Sequence, residues 1–338
     1  QAFRAKLGRN FIVPANSFDN VKGQFPIGFF IWDTNQKEVF EETTTTIYDS
    51  KGEELGNKLI SSYLNDTNVI VWLRQYYDKQ GESIGFLRMN GTNIQNNLGI
   101  YITSKLSDND IHNHFYAEIT KTNILPMCIY LSIRETVNAN WINDRDQYLV
   151  PSSKWEDDKE FQYNCLIHSL FSGQNRIQSQ HGTNHWIPFS EEEVGAQDNF
   201  ESHFIHDFIM GKVKEEKPQQ KETMQDLFAE QEPQTTGGSS FTPTGPLEFS
   251  QEAQAVLDAG RELWRYYHKQ AGANPNASYY DIKMHFQGTK TTKSGKLQMN
   301  STSEDATYNT LLANLRQAMK GLAAHIEPKV YEYGFLKK

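Results

Sequence analysis

Apolar residues come in runs along the start of the chain and at helical spacing along its last quarter, with a polar stretch between. Residues 10–15 (NFIVPA) and 25–32 (FPIGFFIW) are apolar runs joined by NSFDNVKGQ, whose Asn, Asp and Gly mark a loop, so two strands are predicted. The second run is apolar on both faces, as in a strand inside a covered sheet. Residues 38–48 (EVFEETTTTIY) are rich in β-branched side chains and end at DSKG, a turn into a further strand. The opening QAFRAKLGRN reads as the interior of a helix and, without an initiator Met, as the cut end of something longer.

From residue 59 to about 209 the pattern is mixed. Val69, Trp72, Leu73 and Tyr76 follow helical spacing, as do Leu166, Leu170 and Phe171 less regularly; residues 84–89, 98–103 and 124–133 are strand candidates. Ser190 and Glu193 form a capping box, so the acids of SEEE belong to a helix start rather than to a metal site. Residues 212–245 are polar, carry several prolines and read as a linker, with 224–228 a short amphipathic turn inside it.

Beyond the linker, Ser250 caps a helix with apolar Ala253, Val256, Leu257, Leu263, Trp264 and Tyr267. A second helix starts near Ser303, carries Tyr308 to Ile326 on its apolar positions and is expected to stop before Pro328. Between them Tyr280, Ile282, Met284 and Phe286 alternate with polar residues, which predicts a strand paired with 296–300. The carboxy-terminal unit is thus expected to be helix, hairpin, helix. No repeat at solenoid periods is present.

The chain has 338 residues, enough for two or three domains, and its 37% hydrophobic and 12% aromatic content exclude wholesale disorder. Cys128 and Cys165 offer no disulfide framework, which fits a reducing cytoplasm. No apolar stretch reaches a membrane span and no signal peptide is present at the start of this sequence. The net charge of −9 argues against simple non-specific nucleic-acid binding, but residues 246–338 hold 12 Lys and Arg against 9 Asp and Glu, a local +3.

The chemistry-bearing motifs are sparse. The pairs His112/His114, His181/His185 and His203/His206 lack the second half of a zinc site, so no metal ligands are assigned. No G-x-S-x-G elbow is present. The loop GTKTTKSGK offers Lys290, Lys293 and Lys296 with hydroxyls and no acid, a pattern suited to phosphate contacts. GQNRIQSQH offers Gln174, Asn175, Arg176, Gln178 and Gln180, side chains able to read base edges. Phe18, with Asn16, Asn20 and Lys22 beside it, lies in the loop between the first two strands, where an aromatic face could hold a base taken from the stack.

Residues 11–33, FIVPANSFDNVKGQFPIGFFIWD, resemble the last conserved hairpin of the catalytic domain in adenine-specific DNA methyltransferases of restriction-modification systems. IPFSEEEVGA and KVYEYGFLKK are similar to later parts of the same proteins. The resemblance implies an aromatic that stacks on the flipped adenine, Phe18 first and Phe25 second. It also implies double-stranded DNA as partner, S-adenosylmethionine in the intact enzyme, and a target-recognition region after the hairpin. The glycine-rich cofactor turn and the Asn-Pro-Pro-aromatic motif are missing; Asn274-Pro275-Asn276-Ala277 lacks the second proline and reads as a turn. No catalytic residue is therefore assigned, and none of this chain is expected to bind the cofactor by itself.

The expectation is an α+β chain: residues 1–48 the end of a catalytic sheet, 49–211 a mixed target-recognition domain, 212–245 a linker and 246–338 a helical unit. Arg4, Arg9 and Lys22, with the carboxy-terminal lysines, are the expected phosphate contacts. The partner is the amino-terminal catalytic half of the same protein. The alternative is a non-catalytic specificity subunit that docks onto a separate catalytic one.

Overall fold

The computed structural model describes residues 4–337 except 24, 63–67, 79, 90–98, 139, 144–146, 214–242, 244, 294 and 296. It is an α+β fold with small mixed sheets. The first sheet holds β1 (Lys6–Pro14), β2 (Pro26–Asp33), β3 (Glu42–Tyr48) and β4 (Glu54–Ser61) in the order β2-β1-β3-β4. β1 and β2 are antiparallel, with Phe11 opposite Phe29 and Ile12 opposite Gly28, while β3 runs parallel to β1. The DSKG turn closes as its sequence predicts, the Asp49 carboxylate accepting from the Lys51 and Glu53 amides at 2.8 Å. Residues 6–10 are strand, not helix: the β-period pairing with residues 30–33 outweighs the helix-forming Lys and Arg. The sheet runs on to Ser61, past the boundary expected at 48.

The rest of the described chain surrounds a continuous core that starts at Val69 and ends at Leu336. In order come α1 (Val69–Arg74), β5 (Ser83–Met89), β6 (Tyr101–Thr103), α2 (Asp108–Asn113), β7 (Phe115–Thr120), α3 (Ile124–Thr136), α4 (Lys159–Phe171) and β8 (Asn175–Arg176). They are followed by α5 (Glu191–Val194), α6 (Phe204–Ile209), α7 (Gln251–His268), α8 (Tyr279–Gln287), β9 (Thr289–Thr291), β10 (Leu297–Met299) and α9 (Ala306–Glu332). The second sheet has the order β7-β5-β6-β8, with β8 parallel to β6 at one edge. α3 and α4 pack together in the centre, and α7 and α9 close over them. The carboxy-terminal helices therefore share one core with the central segment.

Three sequence expectations change here. Residues 124–133 form a helix, not a strand: α3 is buried on nearly every side, and an apolar run without a polar face does not reveal its period. Residues 280–286 are also helical. Ser278 and Asp281 make a reciprocal capping box, and Tyr279, Ile282, Lys283 and Phe286 fall on the i, i+3, i+4, i+7 stripe that period-two alternation hides. The strand that 296–300 was expected to find is instead β9, which pairs with β10. Finally, α9 continues through Pro328 to Glu332, because Val330, Tyr333 and Phe335 are buried against α4 and Trp72. That packing outweighs one missing backbone hydrogen bond. The short amphipathic turn expected at 224–228 lies outside the described residues.

Candidate nucleic-acid interface

The β1–β2 hairpin places Phe18 at its tip. After Pro14 the chain makes a single 3-10 turn, Ala15–Ser17, closed by the Phe18 amide on the Ala15 carbonyl at 3.1 Å. Across the loop the Ala15 amide donates to the Phe25 carbonyl at 2.8 Å, and Asn20 takes a left-handed φ of 68°, which Asn tolerates better than most side chains. The tip is thus set by backbone hydrogen bonds, and the Phe18 side chain is left 42% exposed. Its ring leans on Phe29 at 6.2 Å, Phe29 stacks on Phe11 at 4.8 Å, and Phe11 meets Tyr48 edge-on at 6.0 Å. Phe18 is the outer end of this aromatic row. Phe25 is half-buried and contributes its carbonyl to the loop closure, so of the two stacking candidates only Phe18 offers an open face. Arg9 on β1, Lys22 in the hairpin loop and Arg4 just before β1 are exposed.

A second cationic group gathers at the free edge of the second sheet. Arg176 of β8 lies with its guanidinium 4.0 Å above the Tyr101 ring and donates from Nη2 to Gln174 Oε1 at 3.0 Å. Arg88 stands 4.9 Å from the same ring and is paired with Asp110. Burial alone would raise the Asp110 carboxyl, but the Ser107 hydroxyl and amide together with Arg88 hold it below the usual carboxylate range. Tyr101 and Gln174 therefore fix the plane of the exposed Arg176 guanidinium. Asn175, between the two expected readers, is buried and donates to the Ser169 carbonyl at 3.0 Å, so it supports the edge strand and reads nothing. Gln180 is exposed and Gln178 half-buried.

Lys283 of α8 is nearly buried, 4.3 Å from the Tyr279 ring centroid, and its helical stripe is hidden in the sequence by an alternating series. Of the carboxy-terminal lysines, Lys290 sits exposed on β9 and Lys293 in its turn, while Lys296 lies outside the described residues. Lys290 also borders a cleft of about 730 Å³ whose other walls include Glu304 and Asp305, a mixed rather than a cationic lining.

Two of the histidines weighed as ligands are held by a neighbouring acid or hydroxyl. His203 Nε2 meets Glu191 at 2.8 Å, and His185 Nδ1 meets the Ser202 hydroxyl at 2.7 Å. Among the described residues no three His, Cys, Asp or Glu side chains come together as a metal site would need. Ser132, His168 and Glu135 lie close in the core, but Ser132 Oγ at 3.1 Å and Glu135 Oε2 at 4.0 Å both approach the same ring nitrogen, Nδ1. A nucleophile relay needs them on opposite nitrogens. Burial lowers His168 to about 4 and pushes the Cys128 thiol up to about 12, so both stay neutral. The junctions 104–107, leading into α2, and 121–123, leading into α3, contain no glycine, so they do not fit the close turn that S-adenosylmethionine requires. The arrangement can hold a polyanion and offer an aromatic face; it assembles no bond-making machinery among the described residues. Comparison with family models, curated proteins and solved structures finds no match for this chain. Among the described residues no helix is long and apolar enough to cross a membrane.

Proposed function

We propose that this chain is the DNA-recognition and base-positioning part of an adenine-specific DNA methyltransferase. The observation that carries the reading is the exposed Phe18 ring on a hairpin tip fixed by its own backbone, with cationic side chains on the same sheet. A flipped base needs a face to stack on that does not itself collapse into the protein. Gln174 and Arg176, on a sheet edge with the guanidinium already oriented, suit contact with base edges or phosphates in a groove.

Methyl transfer and the S-adenosylmethionine site belong to a catalytic body, covalently attached or a separate subunit, and no step through the cofactor is assigned to the residues here. The apolar side chains of β2, with Phe29, Phe30 and Ile31 each more than a third exposed, suit contact with such a body.

The test is methylation of a duplex by the intact enzyme with Phe18→Ala. Loss of stacking worth about 1–3 kcal/mol is expected to slow methylation roughly 5- to 150-fold, while Phe18→Trp retains most of it. Unchanged methylation removes Phe18 from the site. The chain itself is expected to shift duplex DNA with an affinity that falls steeply with salt; no shift at low salt overturns the reading.

A further inference from the structure

The second sheet has a buried face and a solvent face. Leu87 of β5, Ile102 of β6, and Ala117 and Ile119 of β7 point into the core and are almost wholly enclosed. Side chains alternate along a strand, so the residues between them lie on the opposite face. There the register lines up two cross-strand rows. Tyr116 of β7 stands opposite Arg88 of β5, and Arg88 opposite Tyr101 of β6. The next row runs Glu118, Phe86, Thr103 and Arg176, from β7 at one edge to β8 at the other.

Side chains of the two rows touch. The Phe86 and Tyr116 rings meet edge-on at 6.5 Å, and the Arg176 guanidinium lies 4.0 Å from the Tyr101 ring centroid. Arg88 stands 4.9 Å from the same ring, while Asp110 pairs with Arg88 and accepts from the Tyr101 hydroxyl at 3.3 Å. Water reaches this face: Tyr116 is 37% exposed, Arg176 and Glu118 are exposed, and Phe86 and Tyr101 are half-buried. The solvated face of an antiparallel sheet ordinarily carries polar side chains. Here it carries three rings, and a guanidinium over a ring adds little stability where water competes for it. Such a surface suits a ligand that combines flat π-faces with negative charge. Nucleotides combine them. Bases inside a duplex show only their edges in the grooves, so the faces open to these rings are those of unpaired bases.

We infer that the solvent face of the second sheet is a stacking platform for unpaired nucleotides. Phe86 and Tyr116 lie beneath the bases, and Arg176, held against Tyr101, takes the phosphates. The charges give the platform a direction. Glu118 repels phosphate at the β7 edge and Arg176 attracts it at the β8 edge, three strand spacings or about 14 Å away. The backbone therefore follows β8 and the bases point toward β7. That the strand is DNA rests on the function proposed above, as the stretch opened beside a base taken from the stack.

The test is binding of the whole chain to a labelled oligothymidylate and, separately, to a labelled duplex, each titrated at several salt concentrations. Tyr116→Ala is expected to weaken oligothymidylate binding about 5- to 150-fold, the loss of one stacked base. Tyr116→Phe keeps the ring and is expected to bind like the unsubstituted chain. Arg176→Met is expected to lower the salt slope for the single strand by about 0.7, the value of one phosphate contact. If Tyr116→Ala fails to fold, Arg176→Met, at the exposed edge, carries the test.

Single-strand binding that neither Tyr116→Ala nor Arg176→Met changes overturns the platform and leaves the DNA reading standing, as does a chain that binds duplex and no single strand. Ring-dependent binding of the single strand without duplex binding keeps the platform and overturns the duplex reading. Binding of neither overturns both. A chain that self-associates in sedimentation, and that Tyr116→Ala turns into monomers, places a second copy on this face and overturns the platform.

Discussion

The amino-terminal sheet and the core that begins at Val69 are both rich in aromatic residues, yet they place them in opposite ways. In the sheet, Phe11, Phe18, Phe29 and Phe30 remain more than a third exposed, and among its described apolar residues only Ala5, Ile12, Pro14, Ala15 and Ile47 are buried. In the core, Trp155, Trp264, Tyr130, Tyr308 and Phe335 are almost wholly enclosed, and the rings meet edge to face in continuous clusters around Trp72 and Trp264. One region keeps its apolar surface for contact with something else. The other uses it to hold the fold.

This comparison can be broken most directly by truncating one ring in each region. Trp264→Ala is expected to destabilise the chain by about 3–5 kcal/mol, because the ring packs on Phe171, Phe189 and Tyr279. Phe29→Ala, already partly in water, is expected to cost about 1 kcal/mol. Equal shifts in urea midpoint for the two would end the distinction.

A somewhat smaller effect belongs to pH and to the core alone. His168 titrates near 4 in the folded chain against an ordinary 6.5, so between those values the unfolded state binds more protons. Stability from this residue is therefore fully present above 6.5 and is lost as pH falls toward 4, by an amount on the order of 3 kcal/mol. His168→Gln is expected to flatten that part of the pH–stability curve, and an unchanged slope would show that the ring is not what titrates.

The smallest test uses one substitution at two helical glycines. A Cβ at Gly260 in α7 would lie 2.3 Å from the Phe171 ring, so Gly260→Ala is expected to cost about 1–3 kcal/mol by overpacking. At Gly321 in α9 nothing stands within 4 Å, and Gly321→Ala is expected to add up to about 1 kcal/mol through helix propensity. Denaturation midpoints that move the same way for both would contradict the close approach of α7 to α4.

The parts of the fold legible in sequence are those governed by neighbours along the chain. The β1–β2 hairpin, the Asp49 turn and the caps at Ser190 and Ser250 each depend on a few adjacent residues and form as their patterns predict, but β2, expected inside a covered sheet, is an exposed edge strand, because an apolar run shows that a strand forms and not what covers it. The helices at 124–136 and 279–287 are hidden in the sequence for two different reasons. α3 has no polar face to mark its turn, and in α8 the helical stripe Tyr279, Ile282, Lys283, Phe286 overlaps an alternating series that mimics a strand. The Ser278–Asp281 capping box was the signal that distinguishes them.

The candidate site divides in the same way. Phe18, Gln174 and Arg176 are conspicuous within their own loops. Tyr101 meets Arg176 only once β6 and β8 have paired, and no spacing rule connects positions so far apart.

Residues 333–336 are threaded into the middle of the molecule. The Leu149 amide donates to the Phe335 carbonyl at 2.9 Å and the Ser152 amide to that of Tyr333 at 2.8 Å, while Phe335 fills the space between Trp72 and Phe161. During synthesis at about 5–20 residues per second, Trp72 leaves the ribosome well over ten seconds before Phe335 is made. Until then the aromatic cluster around Trp72 is incomplete, and Phe335 is among the last of its rings to be added. A chain that stops short of Phe335 leaves the Trp72 and Phe161 rings without that partner and the Leu149 amide without its acceptor.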